Sequence, residues 1–412
     1  MNRSLRSLRQ TLLLCALITL TACSSDNDDT TTTVSDTWAF VAARASDFSS
    51  GQTERLAVGS TIAAAGALDA TGSDIRVTSD GESVYQLGRF SLDNVTKYNP
   101  DDVSAPIYQY SVIDSDAAEG EGANPYQVVF ANDSKAYVIR YGSPRVWIIN
   151  PSADNEAAFK IGELDLSAYD ALDITPEANG AVIVNEKLYI LMERLERPAF
   201  SVGRPGYVAV FNTVDDTEID TMMGIEDGLP GIPLNIQNPD ALQYSAADGL
   251  LYLIGRGNSF AAQTPGLNRL TGGIESIDPD TYERLTVLDD GTETGEETDT
   301  TVEFMNGLLV VSATRAYVIT TESFGNNSLR SLNLLTNTFD EGAVADLANK
   351  DLTTMAVGPQ NRLWVGQGGD EPGFVLLDPA TGEDLGITVN TNQVPVNVVF
   401  LPRDNAPSET GN

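Results

Sequence analysis

Arg44, Arg89 and Arg256 each stand four residues after an aromatic residue of one recurring phrase, Phe40, Tyr85 and Tyr252, while Arg140 and Arg194 follow Tyr137 and Tyr189 by three and five. In a chain with 24 basic against 59 acidic residues, such regular placement is more than composition. A guanidinium offers donors in a planar fork that grips carboxylate, phosphate or catecholate oxygens in pairs, each charge-assisted bond contributing roughly 1.5–3 kcal/mol when shielded. Phe48, Phe90, Tyr141 and Phe260 lie in the same stretches and suit stacking on planar groups or cation–π contact. The candidate ligand-binding residues are therefore Arg44, Arg89, Arg140, Arg194, Arg256, Phe90, Tyr141 and Phe260, with Arg145, Arg197 and Arg204 in the loops that follow. The same arginines have a second reading: each pairs with an Asp or Glu of a neighbouring repeat and cements the fold.

Other chemistry is excluded by what the chain lacks. It contains no histidine, so a Ser-His-Asp triad, a His-ligated metal and imidazole acid–base catalysis are impossible. Carboxylate chemistry stays open, but among 59 acids no Asp/Glu pair is specific, and no phosphate loop or paired-cysteine motif occurs. No catalytic residue, cofactor or metal is expected. The acidic run 289–300 reads as solvated surface, with a calcium site as the alternative.

The elements that must position these arginines are strands. Phe40, Tyr85, Tyr137, Tyr189, Tyr252, Tyr317 and Trp364 anchor seven apolar strands such as AYVIR and LLYLI. A second strand follows most of them and closes on Asn99, Asn150, Asn212, Asp278, Asn333 or Asp378. Asn and Asp bond their own backbone two residues on, so each of these positions predicts a turn. Successive anchors are roughly 45 to 65 residues apart, the four-strand repeat of a β-propeller. The fold expected is all-β, a seven-bladed propeller over residues 36–402, followed by a disordered tail at 403–412. Phe40 has no apolar strand before it, whereas Val394–Leu401 has no aromatic strand after it. The C-terminal strand is thus expected to complete the N-terminal blade, removing an open edge. Equivalent strand ends emerge on one face, so the arginines should ring the mouth of the central channel, lopsidedly, since the last two repeats put Thr321 and Gly368 there.

The first 22 residues carry Arg3, Arg6 and Arg9, a short apolar core and the sequence Leu20-Thr21-Ala22 before Cys23. That is a lipoprotein signal with a lipobox, too short in its apolar run to remain as a membrane span. Cys23 is the expected lipidation site and 23–35 a flexible tether. Losing the three arginines takes the net charge from −35 to −38, which repels nucleic acid. Cys15 lies in the leader, so the mature chain has no cysteine for a disulfide.

The turn phrases VLLDPATGEDLG at 375–386 and ESIDPDTYERL at 275–285 resemble the YVTN/YncE-like propeller repeat family, and the resemblance covers 36–402. It implies fold more than function, because that fold hosts binders, scaffolds and enzymes. With the lipobox, the chain is similar to the surface propeller lipoproteins that accompany TonB-dependent receptors. Ser24 after the cysteine resembles the outer-membrane sorting preference. What this implies is an outer-membrane-anchored, non-enzymatic protein capturing an anionic ligand, such as a ferric siderophore, for a partner transporter. The alternatives are an envelope scaffold for partner proteins and, third, a metal-dependent lactonase.

Overall fold

The computed structural model describes residues 37–403 apart from 119, 171, 198–199, 225–226, 259–269 and 292–303, so Cys23 and Phe260 lie outside the described residues. Its strands form seven four-stranded antiparallel sheets arranged as the blades of a propeller. Blade one runs from the innermost strand outward as β28 (Val394–Pro402), β1 (Thr37–Arg44), β2 (Gly51–Val58) and β3 (Ile62–Ala67). Blade two is β4 (Ile75–Ser79), β5 (Val84–Gly88), β6 (Asn94–Tyr98) and β7 (Tyr108–Ser111), and blade three is β8 (Pro125–Asn132), β9 (Lys135–Arg140), β10 (Arg145–Ile149) and β11 (Lys160–Asp165). Blade four holds β12 (Ala178–Val184), β13 (Lys187–Met192), β14 (Pro205–Asn212) and β15 (Ile232–Gln237). Blade five holds β16 (Pro239–Ser245), β17 (Leu250–Gly255), β18 (Gly273–Ile277) and β19 (Arg284–Asp289). Blade six is β20 (Phe304–Ser312), β21 (Arg315–Ser323), β22 (Asn326–Asn333) and β23 (Thr338–Phe339), and blade seven is β24 (Leu352–Gly358), β25 (Arg362–Gln367), β26 (Gly373–Leu377) and β27 (Asp384–Asn390).

The seven aromatic anchors all fall on the second strand of a blade, and none is more than 4% exposed. These strands read as unbroken apolar runs because both of their faces are covered. On β9, Ala136 and Val138 pack toward blade two, while Tyr137 and Ile139 pack toward blade four. The expected turns are all present: Asn99, Asn150, Asn212, Asp278, Asn333 and Asp378 each accept the backbone N–H two residues on. Several anchors use that turn as a fixing point on the next blade. The Tyr137 hydroxyl donates to Asp216 Oδ1 at 2.6 Å, Tyr189 to the Pro279 carbonyl at 2.8 Å and Tyr317 to the Pro379 carbonyl at 3.1 Å. Each buries a ring and satisfies its polar end across a blade boundary.

Closure is as expected. β1 pairs antiparallel with β28 from Thr37 opposite Pro402 to Arg44 opposite Val394, with a bulge at Ala42/Ala43. The innermost strands β28, β4, β8, β12, β16, β20 and β24 pack in succession around the axis. The alternating strand directions give the ring two unlike faces. One carries the Asx turns; the other, the mouth face, carries the hairpins joining second to third strands and the connectors between blades.

Candidate ligand site at the propeller mouth

Two positions repeated through blades two to five build the site. The first is the fourth residue after the anchor: Arg89, Tyr141, Glu193 and Arg256. The second is the second residue of the innermost strand: Arg76, Tyr126, Asn179 and Asp240. Antiparallel pairing brings these two sets to the same end of each sheet, so the eight side chains form one arc.

At one end of the arc the Arg89 and Arg76 guanidiniums lie over the Tyr126 ring, 3.9 and 4.5 Å from its centroid, and Arg89 is paired with Asp74 at 2.8 Å. Tyr126 stacks on Tyr141 at 5.5 Å. The Tyr141 hydroxyl donates to Glu193 Oε2 at 2.8 Å, and the other Glu193 oxygen accepts from Asn179 Nδ2 at 2.6 Å and Arg256 at 2.7 Å. Arg256 also reaches Asp240 at 3.6 Å. Glu193 is 2% exposed; burial pushes its carboxyl up, and Arg256 opposes that rise. Burial acts to lower the Arg256 guanidinium as well, but Asp240 and Glu193 outweigh it and hold the charge firmly in place. Burial, then the Glu193 charge, pushes the Tyr141 phenol well above its ordinary value, so it stays a hydrogen-bond donor.

Three of the expected residues, Arg89, Tyr141 and Arg256, are therefore brought together. Arg140 and Arg194 are not, and the reason is register. Arg140 shares the Val138 face of β9, so it is buried against blade two, 1% exposed, bound to Asp114 at 2.6 Å and stacked 4.8 Å over Trp147. Burial would raise the Asp114 carboxyl, but hydrogen bonds from Arg140 and Trp147 hold it below the ordinary range. Arg194, with a backbone φ of 57°, donates to the Tyr169 and Pro205 carbonyls and covers Tyr207. Arg44 lies over Phe48 at 3.9 Å, donates to the Ala45 carbonyl at 3.5 Å and feels the Asp351 charge. Phe90 is 70% exposed beside Arg89. The expected ring of five arginines is thus an arc of mixed charge. The sequence signal that separates its members is the strict four-residue offset, which selects Tyr141 and Glu193 in place of Arg140 and Arg194. Arg76, Tyr126, Asn179 and Asp240 were not foreseen, because their strands carry no aromatic anchor to align on.

This geometry defines a propeller with a basic–aromatic patch on one face. No protein-family model matches the chain, and no curated protein matches it. Solved structures do. A candidate 6-phosphogluconolactonase from Bacteroides fragilis is 13% identical, TM-score 0.56, with 90% of this chain and 100% of that one covered. A protein from Lactobacillus plantarum is 12% identical, TM-score 0.57, covering 89% and 99%. A second candidate 6-phosphogluconolactonase, from Bacteroides uniformis, is 12% identical, TM-score 0.53, covering 89% and 100%. At such identities the likeness is one of fold.

Proposed function

We propose that the chain is a non-enzymatic envelope binding protein, anchored through Cys23 to the outer membrane, that takes an anionic small ligand at the mouth arc for a partner transporter. The observation carrying this reading is the convergence of Arg76 and Arg89 on Tyr126 beside Tyr141. Arg76 makes no ion pair among the described residues, so its charge is available to a carboxylate or catecholate, while the tyrosines offer a wall for a planar group. Arg256, already held by Glu193 and Asp240, serves to position Glu193 and with it Tyr141. The same engagement weighs against the lactonase reading, since two carboxylates of the arc are committed to a guanidinium.

Calorimetry of the mature chain against ferric siderophores, haem, cobalamin and citrate tests this. Saturable binding that weakens at least tenfold in Arg76→Gln/Arg89→Gln, at unchanged melting temperature, is expected. Unchanged affinity in that variant, or no binding across the panel, overturns it. Anchoring is tested separately: Cys23→Ser should abolish radiolabelled palmitate incorporation and release the protein from membranes.

A further inference from the structure

Among the described residues, all four strongly exposed phenylalanines occupy one kind of loop. Phe48 is 51% exposed, Phe90 70%, Phe200 41% and Phe324 89%. They lie in the hairpins joining second and third strands of blades one, two, four and six, all on the mouth face. Leu172 and Ile174, 70% and 60% exposed, sit in the connector from blade three to blade four on that same face. The Asx-turn face, among the described residues, exposes Ile107, Val214 and Leu335 but no phenylalanine, and Met222, 68% exposed, lies in the long link between β14 and β15. Taking about 200 Å² for a full aromatic side chain, the four rings alone offer roughly 500 Å² of apolar surface, more than half of the ~800 Å² that one partner contributes to a standard protein interface. Two tips carry a guanidinium against the ring, Arg44 over Phe48 at 3.9 Å and Arg197 over Phe200 at 5.3 Å. Arginine and the aromatics, phenylalanine included, are enriched at protein interfaces over the rest of the surface.

We propose that the mouth face is a docking surface for a partner protein, one that offers apolar pockets to the phenylalanine tips and a carboxylate to Arg44. Arg44 makes no ion pair within 4.0 Å among the described residues and feels the Asp351 charge only from farther off, so a partner carboxylate can close on it directly. A net charge of −35 favours a protein over a bilayer, since anionic leaflets repel it.

The test places a photo-crosslinking amino acid in the full-length protein, in its native cells, at position 90 or 324, and at 214 or 335 as opposite-face controls. A single adduct common to 90 and 324 and absent from the controls is expected. The adduct protein, identified by mass spectrometry and purified, should bind Phe48→Ser/Phe90→Ser/Phe324→Ser at least tenfold more weakly than the parent, with melting temperature unchanged. Adducts from both faces alike, none from 90 and 324, or affinity within twofold overturns the proposal. So does co-sedimentation with phosphatidylethanolamine–phosphatidylglycerol vesicles that the triple variant loses, which would make the tips a bilayer contact. Failure here is distinguishable from failure of the ligand reading, because Arg76→Gln/Arg89→Gln leaves the tips intact.

Discussion

At the scale of single residues, the arginines divide into those that hold the molecule together and those that face solvent. Arg140 is the clearest of the first kind, a buried guanidinium whose two terminal nitrogens are held by Asp114 and the Arg145 carbonyl. Arg140→Met removes the nearest cation from Asp114, leaving Lys160 at 3.6 Å, Arg145 at 3.8 Å and the Trp147 donor, and should cost about 1.5–3 kcal/mol, read as a lower urea midpoint, while adding Asp114→Asn should restore part of it. A second group of buried acids sets the pH response. Burial pushes Glu275 to about 7 against the opposing pull of Arg284, and Glu177 to about 7 against that of Arg197. For an acid whose folded value lies above its unfolded value, the folded state binds the extra proton between the two. Stability from these groups is therefore full below about pH 4.5 and lost as pH rises toward 7, up to about 3 kcal/mol for each. Glu275→Gln should flatten the decline in urea midpoint between pH 5 and 7.5; an unchanged slope would rule Glu275 out as its source.

At the scale of elements, the repeat was legible because all seven blades bury an aromatic between sheets and six of them close their third strand on an Asx turn. Asp378 shows how much one turn carries: it accepts from the Ala380 and Thr381 amides while Tyr317 bonds the Pro379 carbonyl it presents. Asp378→Ala should lower stability by about 1–2 kcal/mol in urea titration. The closing strand was equally legible, since Phe40 lacked a partner that Val394–Leu401 could supply. The site was legible only in part. Side chains on adjacent strand positions face different blades, so an arginine displaced by one residue from the fourth position changes neighbours altogether, as Arg140 does. The innermost strands carry no aromatic anchor, and Arg76, Tyr126, Asn179 and Asp240 stand at differing distances before the anchors that follow them, so they could not be aligned across the blades.

At the scale of the whole molecule, charge is the dominant fact. A net charge of −35 makes the folded state repel itself. Raising sodium chloride from 0.05 to 1 M should raise the melting temperature by screening that repulsion; a fall would show that the buried and surface ion pairs outweigh it. Ring closure has a mechanical consequence. Thr37 and Pro402 are paired at one end of a ladder whose other end, Arg44 with Val394, reaches the opposite face. Tension applied between the two termini would peel this ladder open one pair at a time, at low force. Tension between the N-terminus and anything gripping the far face instead runs lengthwise along β1, which is bonded on both sides, and must shear β28 and β2 together. The same joint is weak to one direction of pull and strong to the other, and the strong direction is the one that runs from Thr37 to the mouth face.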